Sequence, residues 1–579
     1  MLPHRLIEQL LQQAVAQCLS DATIANILVR PCPDPKFGDY QTSALMSLAK
    51  ERKLNPRQLA ADVATRLILP AWAKMEIAGA GFLNFRLDTA IIEEVLQSAA
   101  RGEHLFFELA SAPRTVVVDF SSPNVAKPMH VGHIRSTTLG DCLARTFRLL
   151  GHRVITDNHI GDWGTQFGKL LVGWMSDLDR NALLADPIGE MERLYKKVNT
   201  DCESNPTSLE RARFELLKLQ NGDPQNLAIW HEMIDLSQSQ FDKIYARLGI
   251  RFDHTFGESF YNPRLKSIVG QLREAGLARE SEGAIAVFFD SVQELKAHPA
   301  LIQKSDGAFN YMATDLATLQ YRMETWHPDE IVYVTDGRQQ LHFTQLFAIF
   351  RAWYPTLKPK LMHVWFGAIL GEDGKPFKTR SGDTIKLSDL LDEAEERALR
   401  VVMEKNPELG DIERREIARM IGIGATKYAD LLPNRQSDYG FSWDKMLAFN
   451  GNTAPYLQYG YARIQSIFRK LDATESLADT GEKASKPNLK LTASEEITLA
   501  KHLLNFGIVL EAVAEDYRPN YLCNYLYDLS GHFARFYEIC PVLKAEGRER
   551  TARLALCDLT GRVLKQGLEL LGIETPQKM

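Results

Sequence analysis

Residues 115–141 read TVVVDFSSPNVAKPMHVGHIRSTTLGD, and the way this stretch folds decides the architecture of the chain. TVVVDF is a short β-branched run suited to a strand buried on both faces. After it, Leu139, Leu143, Phe147 and Leu150 recur at three- or four-residue steps, the spacing of one helical face. Gly151 then stops the helix, and RVITD, residues 153–157, returns to strand composition. Strand, loop, helix and strand make a βαβ unit, whose crossover is almost always right-handed. Between strand and helix lie Lys127, His130, Gly132 and His133. A helix that opens directly after a strand presents unpaired N–H groups and a partial positive charge, both of which favour phosphate. The two imidazoles can hydrogen-bond phosphate oxygens as charge builds in a transition state, Lys127 adds a mobile cation, and Gly132 leaves space for a nucleotide against the backbone. A solvated helix end with incidental histidines would carry the same four letters, HVGH. The βαβ setting favours the phosphate reading.

Working outward, 579 residues exceed what one hydrophobic core supports, so several domains are expected. With 45% hydrophobic and 25% charged residues the composition is that of a soluble globular protein. No apolar run is read as long enough for a membrane span, and no membrane partner is expected. Near the start, HRLIEQLLQQAVAQCL places Leu6, Leu10, Leu11, Ala14, Val15 and Cys18 on one helical face and includes Glu8, which reads as a folded amphipathic helix rather than a signal peptide. Seven dispersed cysteines without a CxxC pair point to reduced thiols, a cytoplasmic setting and no Cys-rich metal site. A net charge of −6 gives no global attraction for a polyanion, so any nucleic-acid contact must come from local patches.

The remaining segments order themselves around the βαβ unit. Residues 1–112 read as a small α+β domain ending in EIAGAGFLNFRLD, where Leu83, Phe85 and Leu87 alternate with Phe82, Asn84 and Arg86, one face packed and the other exposed. Residues 113–390 read as a Rossmann-like domain with a parallel sheet, its two halves separated by a polar helical insertion at about 170–250 that carries the stripe Trp230, Met233, Phe241, Ile244 and Leu248. Strand-like runs return at AIAVFF, EIVYVTD and LMHVWFGAIL. Residues 391–579 have helical periodicity, interrupted by the turn-rich DATESLADTGEKASKPN. There Thr492 and Glu495 have capping-box spacing ahead of a helix lined by Leu499, Leu503, Phe506, Leu510 and Val513. The fold class is thus multidomain α/β and α, with a C-terminal α-helical bundle.

At this point the motifs resemble a known family. HVGH resembles the HIGH signature of class I aminoacyl-tRNA synthetases, and SSPNVAKPMHVGHIRST with GDWGTQFG is similar to the arginyl-tRNA synthetase branch over essentially the whole chain. In place of the family's KMSKS loop the sequence has GEDGKPFKTRSGD, with Lys375, Lys378 and Arg380; read alone it is a basic turn, and after the last predicted strand it stands where ligand-contacting loops arise. Lys378 is the expected counterpart of the second KMSKS lysine, with Lys127 able to share its work.

The resemblance implies ATP with Mg²⁺, L-arginine and tRNA(Arg) as ligands of a monomeric ligase. It implies ATP contacts at Lys375, Arg380 and His342, and arginine contacts at Asn124, Glu258, Tyr311, Asp315 and Gln339. A guanidinium is planar and always charged, so carboxylates beside an aromatic ring suit it. Phe82 and Asn84 correspond to positions that contact a D-loop nucleotide, and Tyr459, Tyr461, Tyr537 and Met579 to anticodon-side contacts. Two rival readings are another HxGH nucleotidyltransferase, including a class I synthetase for a different amino acid, and a non-catalytic tRNA-binding paralogue of the same fold.

Overall fold

The structure, a computed structural model, describes residues 1–20, 27–371, 373–375, 377, 384–475 and 489–579. Near the N-terminus β1 (Arg30–Pro31), β2 (Tyr40–Thr42), β3 (Ala73–Ala78) and β4 (Phe82–Leu87) form an antiparallel sheet in the order β1-β2-β4-β3. Leu83, Phe85 and Leu87 are buried as the alternation requires, but Asn84, on the other face, is buried too. The first helix, Pro3–Cys18, buries Ile7, Leu11, Ala14 and Val15, whereas Leu6, Leu10 and Cys18 of the anticipated face are only half-buried. The face is rotated toward Ile7.

Next follow β5 (Thr115–Phe120), β6 (Arg153–Asp157), β7 (Ala278–Ser281), β8 (Ala284–Val287), β9 (Ala300–Gln303), β10 (Glu330–Val334) and β11 (Lys360–His363). Of these, β5, β6, β10 and β11 make one parallel sheet in the order β11-β10-β5-β6. Val116, Val118 and Phe120 join the core that contains Leu139, Leu143 and Phe147, while Val117 joins a second core with Ile331, Leu316 and Leu346 on the other face. That division explains why Val116, Val117, Val118 and Phe120 are all apolar: successive side chains enter different cores, and only Asp119 interrupts the run. The helices between Gln166 and Arg247 separate β5 and β6 from β10 and β11 along the chain, with Trp230, Met233, Phe241 and Leu248 buried. One expectation fails here. AIAVFF does not enter the parallel sheet; its β8 portion pairs antiparallel with β7 and β9 in a separate three-stranded sheet.

After β11, a parallel pair of two-residue strands, β12 (Ile369–Leu370) and β13 (Tyr439–Gly440), brackets the helices Leu387–Lys405 and Asp411–Leu431. Helices Ala454–Glu475, Asn520–Ile539 and Gly547–Leu570 complete the bundle with the pair Ser494–Leu503 and Phe506–Asp516. Those two were anticipated as one helix. Leu499, Leu503, Phe506, Leu510 and Val513 are all buried, yet the chain breaks at Leu504 and Asn505, and Glu496 rather than Glu495 reaches back to the Thr492 and Ala493 N–H groups. The same stretch also corrects the membrane reading: Ser494–Asp516 is long and apolar enough to span one by composition, with mean hydropathy 1.4, but it is the broken, largely buried inner element of the bundle. The linker reading at 476–488 lies outside the described residues.

The N-terminal sheet domain rests on the bundle. Lys501 pairs with Asp39 at 2.7 Å, Arg5 with Glu511, and the Leu491 N–H donates to Glu93 at 2.8 Å. Five cysteines, Cys142, Cys202, Cys523, Cys540 and Cys557, are buried; Cys18 and Cys32 are half-buried. Burial pushes the Cys142 and Cys557 thiols up to about 12.

Candidate active site

Three loops leave the carboxyl ends of adjacent parallel strands, the place where an open α/β sheet delivers ligand-binding groups. After β5 come Asn124, Lys127, His130 and His133; after β6 come His159 and Asp162; after β10 come Asp336, Arg338 and Gln339.

The helix Val131–Leu149 is capped by its own histidines. The Gly132 N–H donates to His130 Nδ1 at 3.1 Å, and the His130 N–H donates to His133 Nδ1 at 3.0 Å. A ring nitrogen that accepts from the backbone carries no proton, so each imidazole keeps its hydrogen on Nε2. The ring centroids are 3.9 Å apart. Burial, with neighbouring positive charge, lowers both: His133 falls to about 3 through burial and His130, and His130 falls through burial, Arg338 and Lys127. Both are neutral Nε2–H donors at pH 7. Gly132 acts differently from the sequence reading, since a Cβ there would lie 2.9 Å from His130 Cε1; the space it leaves is filled by the folded-back ring. The Lys127 ammonium lies 5.5 Å from the Tyr195 ring of the helical insertion.

The basic loop is tied to this helix at its far end. Val131 N–H donates to Ile385 O and Leu387 N–H to Met129 O, each at 2.9 Å, making an antiparallel bridge between His130 and Lys386. At its near end Phe377 stacks on Phe441 at 4.6 Å, and Lys375 is exposed on a turn closed by the Gly371 N–H to Lys375 O bond at 2.7 Å. Lys378 and Arg380 lie outside the described residues.

An acidic group forms past the end of β6 and on the helix before β10. Glu258 opens a short 3₁₀ turn, Glu258–Tyr261, whose first N–H donates to Ile160 O at 3.1 Å. Asp162 fixes that turn by accepting from Ser259 N–H at 2.8 Å and Ser259 Oγ at 2.6 Å. Tyr311 and Asp315 do lie on one helix, Tyr311–Trp326, a turn apart. Burial pushes the Glu258 carboxyl up to about 8, reinforced by the charges of Asp315 and Asp162. Burial would also raise Asp315, but the hydrogen bond and charge of His342 outweigh it and hold Asp315 below the usual carboxylate range. His342 Nε2 and Asp315 Oδ2 are 2.5 Å apart. His342, expected at ATP, is thus engaged on the acidic side, where it orients Asp315. Tyr311 is 65% exposed; partial burial, and then the Glu258 carboxyl, raise its hydroxyl. Asn124 is exposed and bridged to Gly161, where an added Cβ would strike Asn124 Oδ1 at 2.2 Å. Gln339 is exposed at the end of a 3₁₀ turn.

Below the acids lies a group that sequence reasoning missed. Fully buried Arg322 donates to Asp119 at 2.6 Å and Asp157 at 2.8 Å, joining the ends of β5 and β6. Only the aspartates of TVVVDF and RVITD, next to last in the first strand and last in the second, hinted at it.

The anticipated RNA-side residues fall on two surfaces. Phe82 is half-buried, and Asn84 is 4% exposed with its Oδ1 lacking a hydrogen-bond partner among the described residues. On the bundle Tyr459 is 46% exposed, and Tyr537 lies 4.8 Å beneath the Arg463 guanidinium. Tyr461 is 4% exposed and its hydroxyl accepts from Gln577 Nε2 at 3.2 Å, so it holds the C-terminal tail instead of offering a stacking face. Glu574 pairs with Arg419 at 2.8 Å, Arg469 donates to Gln577 O at 2.8 Å, and Met579 packs near Ile417 and Ile421.

Comparison with known proteins bears on this geometry. Residues 95–443 match the family described as tRNA synthetases class I (R), catalytic domain; residues 457–579 match the DALR anticodon binding domain, and residues 5–87 the arginyl tRNA synthetase N terminal domain. An arginine–tRNA ligase of Citrobacter koseri is 46% identical across 99% of this chain and 100% of its own, and one of Escherichia coli is 45% identical over the same shares. Among solved structures, arginyl-tRNA synthetase of Thermus thermophilus superposes with a TM-score of 0.83 at 27% identity, covering 100% of both chains. That of Plasmodium falciparum gives 0.82 at 30% identity, covering 100% of this chain and 99% of its own. Matched along its full length by sequence and by structure, the chain belongs to the class I arginyl-tRNA synthetases, the arginine–tRNA ligases.

Proposed function

We propose that Glu258, Asp315, Tyr311, Gln339 and Asn124 hold L-arginine, that His130 and His133 bind the phosphates of ATP, and that tRNA(Arg) is the acceptor. A carboxylate oxygen of arginine attacks the α-phosphorus, and the bond to pyrophosphate breaks, giving arginyl-adenylate. A ribose hydroxyl of the terminal adenosine, the 2′-hydroxyl expected of class I, then attacks the carbonyl carbon. The ester forms as AMP leaves, and no bond to the enzyme is made. The observation that carries this reading is the pair of neutral imidazoles whose Nε2–H donors are fixed by backbone N–H groups, on the sheet whose strand ends also carry Asp162, the anchor of the Glu258 turn. Donors set before reaction need no reorganisation when charge develops on the phosphate. Lys127, Lys375, Lys378 and Arg380 supply positive charge to the triphosphate in this reading. Mg²⁺ is expected to arrive on the nucleotide and neutralise phosphate charge; among the described residues no three His, Cys, Asp or Glu side chains converge to cage a metal, so the phosphates are its natural ligands.

We assign residues 1–112 to D-loop contact through Phe82 and Asn84, residues 113–390 to catalysis, and residues 391–579 to the anticodon side through Tyr459, Tyr537 and Met579, with Tyr461 supporting the tail. Half-exposed aromatic rings beside Arg463 suit unstacked RNA bases. Dispersed cysteines accord with a cytoplasmic enzyme, and a monomer is the state to test by sedimentation. The deciding experiment is pyrophosphate exchange with each amino acid in the presence of cognate tRNA. Exchange supported by arginine alone is expected. Exchange with lysine or glutamate and not arginine would defeat the specificity, and no exchange at all would favour the non-catalytic paralogue.

A further inference from the structure

The guanidinium of Arg135, one turn into the histidine-bearing helix, is 1% exposed. It donates to Gly367 O at 2.9 Å and to Ser437 O at 3.2 Å. It also stacks on Phe366 and Tyr439, at 5.7 and 5.0 Å from the ring centroids. Gly367 and Phe366 lead into β12, and Ser437 and Tyr439 lead into or begin β13. These two strands form the base from which the basic loop springs. Its fifth partner is Asp430, 3.1 Å from Arg135 Nε, whose other oxygen accepts from Thr138 Oγ1 at 2.7 Å. Asp430 belongs to the bundle helix Asp411–Leu431. An apolar side chain would fill this position without the desolvation of a buried ion pair, so a charged pair here serves geometry more than stability.

We propose that Arg135, locked by Asp430, is a positioning residue that holds the base of the basic loop in register with His130 and His133, so that seating of the ATP phosphates depends on a helix of the C-terminal bundle. This inference rests on the assignment of that loop to ATP. The test is tRNA-dependent pyrophosphate exchange by Arg135→Lys, Asp430→Asn and the double apolar variant Arg135→Met/Asp430→Leu, with Lys378→Ala beside them. KM does not depend on the folded fraction, and the double variant, free of a lone buried charge, is built to fold even if the single ones do not. The expected result is a rise in KM for ATP of about tenfold in all three, with KM for arginine within about twofold and the double variant melting near the parent. If the double variant keeps the parent KM for ATP, or if both KM values rise together, Arg135 has no positioning role. If Lys378→Ala leaves KM for ATP unchanged, the assignment of the loop itself fails instead.

Discussion

The proposed mechanism gives His133 the phosphate and Asp315 the arginine. On that assignment His133→Ala removes a donor to developing phosphate charge, so kcat in pyrophosphate exchange should fall by about 10²–10³ with little change in KM. Asp315→Ala removes the carboxylate that His342 keeps ionised, and KM for arginine should rise about a hundredfold while KM for ATP moves far less. Glu258 adds a pH signature. Its carboxyl, raised to about 8, is protonated at neutral pH without ligand, and an entering guanidinium expels that proton. KM for arginine should therefore drop roughly tenfold between about pH 7 and 9, and Glu258→Gln should flatten the profile. The linkage runs the same way for stability. Because the folded-state value lies above the ordinary 4.5, unliganded enzyme loses stability as pH climbs from about 4.5 through about 8, and the thermal upshift given by arginine should grow between about pH 7 and 9. HVGH was legible because four adjacent letters carry it. Asp162, Arg322 and Arg135 were not, since each acquires meaning only from a partner brought near by folding, such as Ser259, Asp157 or Asp430.

Secondary-structure elements were legible where one periodicity governed them and obscure where a neighbour decided. TVVVDF declared a strand buried on both sides, and the helix after it followed from its leucines. AIAVFF has equal β character, and nothing local says that its partners are β7 and β9 rather than β10. The capping box was displaced by one residue because Thr492 and Glu495 fit the motif, while Glu496 faces the buried Arg553 at 2.7 Å and is drawn to the backbone from that side. Glu496 thus serves two backbone N–H groups and an ion pair at once. Glu496→Ala should cost about 2–4 kcal/mol, read as a lower denaturation midpoint, with kcat and KM for arginine unchanged in the folded fraction.

For the molecule as a whole, shifts in pattern led the sequence reading to divide the chain into three parts, but they could not supply the contacts between them. Lys501 with Asp39 and Arg5 with Glu511 join segments hundreds of residues apart, and isolated charges give no hint of such pairing. The bundle surface carries the prediction proper to this scale. Tyr459→Ala should raise KM for tRNA by about tenfold, the worth of one stacked base, and leave amino-acid-side kinetics intact; equal values for both proteins would remove Tyr459 from the RNA surface. The burial of five thiols has a practical corollary. A maleimide dye reacts with accessible thiolate, so it should modify Cys18 and Cys32 first and spare the other five. Both acceptors sit in the domain assigned to the D-loop, so native protein can be fluorescently tagged there without mutagenesis, and quenching on titration with tRNA would report when the elbow of the nucleic acid docks.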